Sequence, residues 1–132
     1  MNALATLGFD YPKRSKFFKK ELEEFLLLAR EEKANPLSIK GSYAGAMGKP
    51  QFISSSYRRY AVDFDGDGKR DILNSTADAI GSVANYFAQH KWYKDEPITT
   101  PAKVEGKSFK AIVKKGIKPK MPLKKILESG VS

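Results

Sequence analysis

Four carboxylates lie within nine residues in the segment 63–71, which reads Asp-Phe-Asp-Gly-Asp-Gly-Lys-Arg-Asp. Oxygen-bearing side chains at positions 1, 3, 5 and 9, with glycine at 6, are typical of an EF-hand calcium loop. Position 12 departs from that pattern, because Asn74 replaces the bidentate glutamate. Either Asn74 supplies one amide oxygen, or Asp78 completes the coordination from the next helix. The predicted metal site comprises Asp63, Asp65, Asp67, Lys69 (at position 7, where such loops use a backbone carbonyl), Asp71 and Asp78.

This segment, which we call the acidic loop, has a second interpretation as a polar turn without a metal. Closely spaced carboxylates repel one another unless a cation is present, which favours the metal site. Calcium is favoured over magnesium because calcium takes more oxygen ligands. Since every predicted ligand comes from the protein, the expected role of calcium is structural.

Catalytic groups are scarce in the rest of the chain. The 132 residues contain no cysteine and one histidine, His90, which excludes thiolate chemistry and a histidine-pair zinc site. No serine has a visible base beside it, so acid–base chemistry would have to come from a carboxylate. The glutamates at 21, 23, 24, 31 and 32 lie in an ordinary charged helical pattern. We therefore expect them to be solvated, and the sequence predicts no catalytic acid.

Two helices are predicted to flank a glycine-rich segment. Apolar residues at Phe18, Leu22, Phe25, Leu26 and Ala29 predict a helix from about 15 to 32. Residues 40–56 are rich in glycine, which lets the backbone approach a neighbour or a ligand closely. A short helix is predicted at 57–62. A further helix is predicted from a Ser75 or Thr76 cap to about His90, with Asp78 in its first turn and an apolar stripe of Ile80, Val83, Ala84 and Phe87.

The charge of the chain is concentrated at one end. Its 24 basic and 15 acidic residues give a net charge of +9, and residues 103–132 hold nine lysines against two acids. This end is either solvated or contacts an anionic partner. A short strand is predicted at Phe109–Val113 and a short helix at Leu123–Leu127. No apolar run approaches the length of a membrane-spanning helix, and the N-terminus does not have the pattern of a signal peptide.

Several motifs in order resemble one family. They are Gly-Ser-Tyr-Ala-Gly-Ala-Met-Gly at 41–48, Gln-Phe at 51–52, Ser-Ser-Tyr at 55–57, the acidic loop, Asp-Ala-Ile-Gly-Ser-Val-Ala-Asn-Tyr-Phe at 78–87, the opening residues 3–12 and the helix at 21–29. Together they resemble the membrane-bound lytic murein transglycosylase B family, glycoside hydrolase family 103. The resemblance covers residues 3–92 and weakens towards the C-terminus.

The resemblance implies a mainly α, lysozyme-like (α+β) fold, with its domain core at residues 1–92 and an appended basic segment at 93–132. It implies cleavage of the bond between N-acetylmuramic acid and N-acetylglucosamine in peptidoglycan, leaving a 1,6-anhydro product. It also implies that Ser42, Gln51 and Tyr86 line the sugar groove and that the acidic loop holds calcium. Glycan strands are the expected partner, the periplasm or cell envelope the expected location, and a monomer the expected state.

The sequence departs from the family at several places. The family glutamate that acts as acid and then base precedes the Ala-Leu-Ala-Thr-Leu segment, and this chain begins at Met1-Asn2. We therefore expect that glutamate to be absent and the chain to be inactive alone; the alternative is a non-catalytic peptidoglycan-binding remnant. Lys49-Pro50 replaces a more flexible pair, and Ser54 stands where proline is usual. Specific nucleic-acid binding is not expected, because the basic end has one aromatic residue, Phe109, and no reading motif.

Overall fold

The computed structural model describes residues 1–116, 118 and 121–132. These residues are mainly helical and divide into two compact units, unit 1 (Met1–Lys94) and unit 2 (Asp95–Ser132). Three positions of the predicted appended segment 93–132, at 117, 119 and 120, lie outside the described residues. The helices are α1 (Asn2–Phe9), a 3₁₀ turn (Pro12–Arg14), α2 (Ser15–Glu31), α3 (Ser54–Tyr60), α4 (Thr76–Gln89), α5 (Phe109–Val113) and α6 (Leu123–Leu127).

The core of unit 1 forms where α1, α2 and α3 pack around the glycine-rich segment and Ile72. The prediction of α2 was correct in extent and largely in its buried face, since Phe18, Phe25 and Ala29 are buried; Leu26 was wrong, because it is 48% exposed whereas Leu28 is 1% exposed. Its buried positions follow a three- and four-residue spacing that brings residue 28 rather than 26 against α1 and α3. The buried hydrophobic residues of unit 1 are Leu4, Phe18, Phe25, Leu28, Ala29, Met47, Phe52, Tyr57, Tyr60, Ala61, Ile72 and Ala79.

Helices α3 and α4 carry the chain past the acidic loop. Helix α3 begins three residues earlier than the sequence predicts. Ser75 caps α4, as predicted, because its side-chain oxygen accepts the Asp78 backbone N–H at 3.2 Å. The predicted apolar stripe of α4 was wrong in part, since Ile80 and Phe87 are exposed while Ala79 and Ser82 are buried.

The described residues of unit 2 form two five-residue helices and one β-bridge. The prediction of a strand at Phe109–Val113 was wrong, because these residues form α5; helix α6 is confirmed. The ends of the unit pair through Val104 and Val131, with hydrogen bonds in both directions between Lys103 and Ser132. None of its described side chains is buried.

No helix among the described residues is long and apolar enough to cross a membrane.

Candidate functional site

Three carboxylates of the acidic loop converge. One oxygen from each of Asp63, Asp65 and Asp67 lies within 4.8 Å of the others. Asp63 accepts backbone N–H groups from Gly66 at 2.8 Å, Asp67 at 3.1 Å and Gly68 at 2.8 Å. Both glycines have positive φ, which makes this tight winding possible. The loop therefore gathers negative charge, and no described lysine or arginine forms an ion pair with these three aspartates.

At the C-terminal end of the acidic loop, Asp71 accepts hydrogen bonds from the residues that follow it. Its carboxylate accepts the backbone N–H groups of Leu73 at 3.0 Å and Asn74 at 2.9 Å, and the Asn74 side-chain amide donates to both carboxylate oxygens. Partial burial raises the pKa of Asp71, but the hydrogen bonds from Asn74 and Leu73 outweigh that effect and hold the pKa below its usual value. Asp71 and Asn74 thus contact each other, and the Asp71 carboxylate does not belong to the group of three converging aspartates.

Asp78 braces the acidic loop from α4. Its carboxylate is fully buried and accepts the backbone N–H of Phe64 at 2.8 Å and that of Asp71 at 2.8 Å, one on each oxygen. The same side chain therefore ties the beginning of the loop to its end. Gly81, one turn further along α4, lies directly under the Phe64 ring, where a Cβ atom would come within 2.6 Å of it. The loop is seated on α4 by these contacts.

The three converging aspartates fit a hard divalent cation. They offer oxygen ligands only, their charges have no protein counter-ion among the described residues, and the surrounding backbone N–H bonds fix their orientation. The side chain of Ser75 also donates to Asp65 at 3.0 Å, which adds a neutral tie between loop and helix.

Residues 41–52 fold into what we call the glycine-rich turn. Gly41 and Phe52 both form antiparallel bridges with Met47, so the two arms of the turn meet at one buried side chain. The Ser42 hydroxyl oxygen accepts the N–H groups of Ala44 at 3.3 Å and Ala46 at 3.1 Å. The Ser42 hydroxyl proton remains available to donate, since both of these bonds use its oxygen as acceptor.

Gln51 has a left-handed backbone conformation, with φ +54°. Its backbone N–H and its side-chain amide Nε2 both donate to the carbonyl oxygen of Gly48, at 3.1 and 2.9 Å. A non-glycine residue in this region costs about 1–2 kcal/mol and persists where surrounding contacts enforce it. Gln51 is nevertheless exposed. A strained, exposed polar residue is a candidate for contact with a ligand.

Tyr86 belongs to an aromatic cluster at the end of α4. Its ring stacks on His90 with centroids 4.1 Å apart, meets Tyr60 edge-on at 5.0 Å and lies 5.8 Å from Phe52. His90 is exposed at the end of this helix, and its Nδ1 lies 2.7 Å from the Tyr86 carbonyl oxygen. The cluster fixes a half-buried tyrosine beside the glycine-rich turn.

The three predicted groove residues are connected through two neighbouring residues, Phe52 and Met47. Phe52 follows Gln51 in the chain and contacts the ring of Tyr86. Ser42 lies on the other arm of the turn, beyond the bridge to Met47. It lines a cavity of about 280 Å³ that also involves Leu4 and does not include Gln51 or Tyr86. Gln51 is thus linked to Tyr86 through its chain neighbour Phe52, whereas Ser42 lines a cavity that neither of them lines.

Sequence reasoning missed the role of Glu21. This residue was expected to be solvated, but it is 3% exposed and accepts the Ser55 backbone N–H at 3.0 Å and the Ser55 hydroxyl at 2.8 Å. Its position between Phe18 and Phe25 on the apolar stripe of α2 was the available signal. The carboxylate satisfies a free N–H in the first turn of α3, which explains the early start of that helix.

Other α2 carboxylates are held by arginines. Arg58 pairs with Glu24 and Glu31, and Arg70 pairs with Glu32. The hydrogen bond from Arg58 lowers the pKa of Glu31, against a smaller opposing effect of burial. These glutamates, like Glu21, are already bonded within the protein.

Comparison with known proteins places the chain in a family. A family model described as the transglycosylase SLT domain matches residues 1–132. Membrane-bound lytic murein transglycosylase B from Escherichia coli (strain K12) is 55% identical over 102 residues, which are 77% of this chain and 28% of that protein.

Solved structures resemble the chain over nearly its whole length. Catenated lytic transglycosylase SltB1 from Pseudomonas aeruginosa is 55% identical with a TM-score of 0.91, over 98% of this chain and 43% of that one. Escherichia coli lytic transglycosylase Slt35 in complex with calcium is 43% identical with a TM-score of 0.73, over 98% and 40% of the two chains. SltB3 from Pseudomonas aeruginosa in complex with NAG-anhNAM-pentapeptide is 34% identical with a TM-score of 0.75, over 98% and 34%.

The chain thus spans less than half the length of each of these relatives. The predicted lysozyme-like fold class and the family resemblance are both confirmed. With its full length matched by the family model, the chain belongs to the transglycosylase SLT domain family, among the lytic murein transglycosylases related to transglycosylase B.

Proposed function

We propose that this chain binds the glycan strands of peptidoglycan through the glycine-rich turn and the aromatic cluster around Tyr86, as part of a lytic murein transglycosylase. The observation that carries the proposal is Gln51, whose strained backbone keeps its amide exposed beside the Phe52–Tyr86 contact. Amides and hydroxyls bind sugar hydroxyls, while an aromatic ring packs on the apolar face of a sugar. The complex of SltB3 with a muropeptide supports this choice of ligand.

Each predicted groove residue has a specific role in this proposal. Gln51 would bind sugar hydroxyl or acetamido groups with its side-chain amide. Ser42, on the other arm of the turn, would donate its hydroxyl to a part of the glycan that enters the separate cavity it lines. Tyr86 would present its ring edge and its phenol oxygen to the glycan. Its stacking on His90 limits how far that ring can move.

Bond cleavage in the family needs one carboxyl group that donates a proton to the leaving oxygen and then removes one from the attacking hydroxyl. The fully or nearly buried carboxylates of the described residues are Glu21 and Asp78, and both are bonded to backbone N–H groups. Neither is therefore free to protonate a glycosidic oxygen. We propose that this chain binds glycan but that cleavage, with its 1,6-anhydro product, requires a carboxyl group outside these residues.

Binding is tested by calorimetry with NAG-NAM-pentapeptide, the ligand of a relative. Gln51→Ala should weaken the affinity by about 1–3 kcal/mol, roughly 5- to 150-fold, as expected for losing hydrogen bonds to a ligand. Tyr86→Phe, which retains the aromatic cluster, should weaken it less. Gln89→Ala, an exposed glutamine at the end of α4, is the matched control and should leave the affinity unchanged. Equal affinities for all three variants and the wild type would show that neither Gln51 nor Tyr86 contributes to ligand binding.

Cleavage is tested separately by incubating the chain with purified murein and analysing the soluble products by mass spectrometry. No anhydro-muropeptide is expected from this chain alone. Detection of such a product, lost in a Glu21→Gln variant, would contradict the assignment of Glu21 to a structural role.

We also propose that the acidic loop binds a structural calcium ion. Asp63, Asp65 and Asp67 would provide carboxylate oxygens, with the Lys69 backbone oxygen and Asp71 at the remaining loop positions and Asp78 bracing the loop from behind. The calcium complex of Slt35 supports the choice of metal. The ion would neutralise repulsion among the aspartates and make the loop rigid.

Calcium binding is tested by melting the chelator-treated protein with and without added calcium. A calcium concentration 100 times Kd should stabilise the fold by about 2.7 kcal/mol. Asp65→Asn should abolish most of that gain, whereas Asp10→Asn, at the exposed end of α1, should not. The proposal fails if calcium leaves the melting temperature of the wild-type chain unchanged.

We further propose that the chain works as a monomer in the periplasm or cell envelope, with a glycan-binding domain at residues 1–92 and a basic segment at 93–132. The segment would make weak, non-specific contacts with anionic surfaces, since its nine lysines outnumber its acids in residues 103–132. Retention on anionic vesicles should fall steeply as salt rises. Retention that is independent of salt would exclude an electrostatic role.

A further inference from the structure

The side chain of Lys49 reaches from the glycine-rich turn to the residues that follow the acidic loop. Its ammonium group donates to the carbonyl oxygen of Asn74 at 2.8 Å and to the hydroxyl of Thr76 at 2.5 Å. Both acceptors lie in residues 72–76, which run from the end of the acidic loop to the first residue of α4 and which we call the exit segment. Hydrogen bonds from a charged donor are stronger than those between neutral groups.

The backbone makes a second connection at the same place. The Lys49 N–H donates to the carbonyl oxygen of Ile72 at 3.0 Å, and Ile72 is fully buried in the core of unit 1. Gly48 lies so close to Ile72 that a Cβ atom there would be 2.6 Å from the same carbonyl oxygen. Residues 48 and 49 are therefore fixed to the exit segment by backbone contact as well as by the lysine side chain.

Gln51 depends on this connection through Gly48. Both hydrogen bonds that hold the left-handed Gln51 end on the Gly48 carbonyl oxygen. If Gly48 moves, the acceptor that maintains the strained conformation moves with it. The path from the exit segment to the proposed glycan contact is thus Ile72 and Asn74 to Gly48 and Lys49, and from there to Gln51.

We infer that Lys49 is a positioning residue. It holds the glycine-rich turn against the exit segment and thereby keeps Gln51 in the left-handed conformation that we propose binds glycan. This inference rests on the proposed role of Gln51. Pro50, between Lys49 and Gln51, further restricts the backbone there. The Lys49 contacts also make the position of the glycine-rich turn depend on the exit segment.

The inference is tested with Lys49→Met, which retains the aliphatic stem, and Lys49→Arg, which retains the charge and donors. Two quantities are measured on the full chain: the Kd for NAG-NAM-pentapeptide, and the hydrogen-exchange rate of the Gln51 backbone amide without ligand. Lys49→Met should weaken binding about 5- to 50-fold and speed exchange at Gln51 about tenfold. Lys49→Arg should restore both to within about threefold. Lys16→Met, an exposed lysine of α2, is the control and should change neither.

A second variant covers the case in which Lys49→Met disturbs folding. Thr76→Val removes one acceptor of the lysine while keeping the side-chain shape. It should weaken binding and speed exchange at Gln51 in the same way as Lys49→Met, but by smaller factors. If the wild-type chain does not bind the muropeptide, the proposed function fails, and the exchange rate at Gln51 alone decides the role of Lys49. Unchanged exchange in Lys49→Met overturns the inference. Weaker binding with unchanged exchange also overturns it, because Lys49 would then contact the ligand itself.

Discussion

Units 1 and 2 contain similar numbers of lysines but differ in how tightly their side chains pack. In unit 1 the buried hydrophobic residues hold the helices together. Gly45 lies against the Leu4 side chain, Gly81 against the Phe64 ring and Gly48 against the Ile72 carbonyl oxygen, each too close for a Cβ atom. In unit 2 no described side chain is buried, and the helices are five residues long. In unit 1 the left-handed Gln51 is bonded to Gly48, which lies against the fully buried Ile72, so packed neighbours surround the proposed glycan contact.

The largest loss of stability is expected at Gly48, whose backbone lies directly against that of Ile72. Gly48→Ala should destabilise unit 1 by about 3 kcal/mol or more, because alanine is strained at φ +69° and its Cβ would lie 2.6 Å from the Ile72 carbonyl oxygen. Gly106→Ala in unit 2 is the matched variant, with a similar φ of +70° and no atom within 4 Å. It should cost only the backbone strain, about 1 kcal/mol. Urea denaturation of both variants measures the difference; equal costs would mean that the Gly48 contact is easily relieved.

A smaller loss of stability is expected at high pH, where tyrosines ionise. It is confined to unit 1, because all six tyrosines lie at or before residue 93. Burial raises the pKa of Tyr57 to about 12, and the Tyr57 hydroxyl donates to the Arg70 carbonyl oxygen at 2.7 Å. A phenol whose folded pKa is raised stabilises the fold fully below the unfolded value near 10, and that contribution is lost as pH rises from 10 to 12. The expected loss is about 1–2 kcal/mol.

Tyr57→Phe isolates this contribution from the titration of lysines. Its free energy of unfolding should be lower than that of the wild type at pH 8, and the gap should shrink between pH 10 and 12. A gap that stays constant over this range would show that Tyr57 ionises equally in the folded and unfolded chains.

The sequence predicted most of unit 1 because its signals there are local. The carboxylate spacing of the acidic loop, the Ser75 cap and the extent of α2 depend on residues within a few positions of one another. The left-handed Gln51 and the bond between Lys49 and Asn74 depend on contacts across 25 residues or on backbone strain, which no local pattern contains. In unit 2 the alternation at Phe109–Val113 favoured a strand, but these residues form a helix; alternation is a weak signal there, because no described side chain of the unit is buried.

A third prediction concerns Ser54, at the first position of α3. Its hydroxyl is fully buried and has no hydrogen-bond partner among the described residues, and Ile53 before it is extended, as proline requires of its predecessor. Ser54→Pro should stabilise the chain by about 1 kcal/mol, because proline suits the first turn of a helix and restricts the unfolded chain. Thermal melting measures the gain. Ser54→Ala, which removes the hydroxyl alone, should give a smaller part of it; destabilisation by proline would indicate that the Ser54 N–H has an acceptor.

The smallest difference is expected from single charges, and it again separates the two units. Arg58→Gln removes the partner of Glu24 and Glu31, so the thermal midpoint should fall by about one to three degrees at low salt. Lys110→Gln on α5 removes a charge that forms no described ion pair and should leave the midpoint unchanged. Because Arg58 lowers the pKa of Glu31, the stabilisation by this pair is present above the ordinary glutamate pKa and is lost as pH falls below it. The Arg58→Gln difference should therefore shrink in acid and in high salt. A difference that survives both conditions would show that the arginine stem contributes through packing rather than charge.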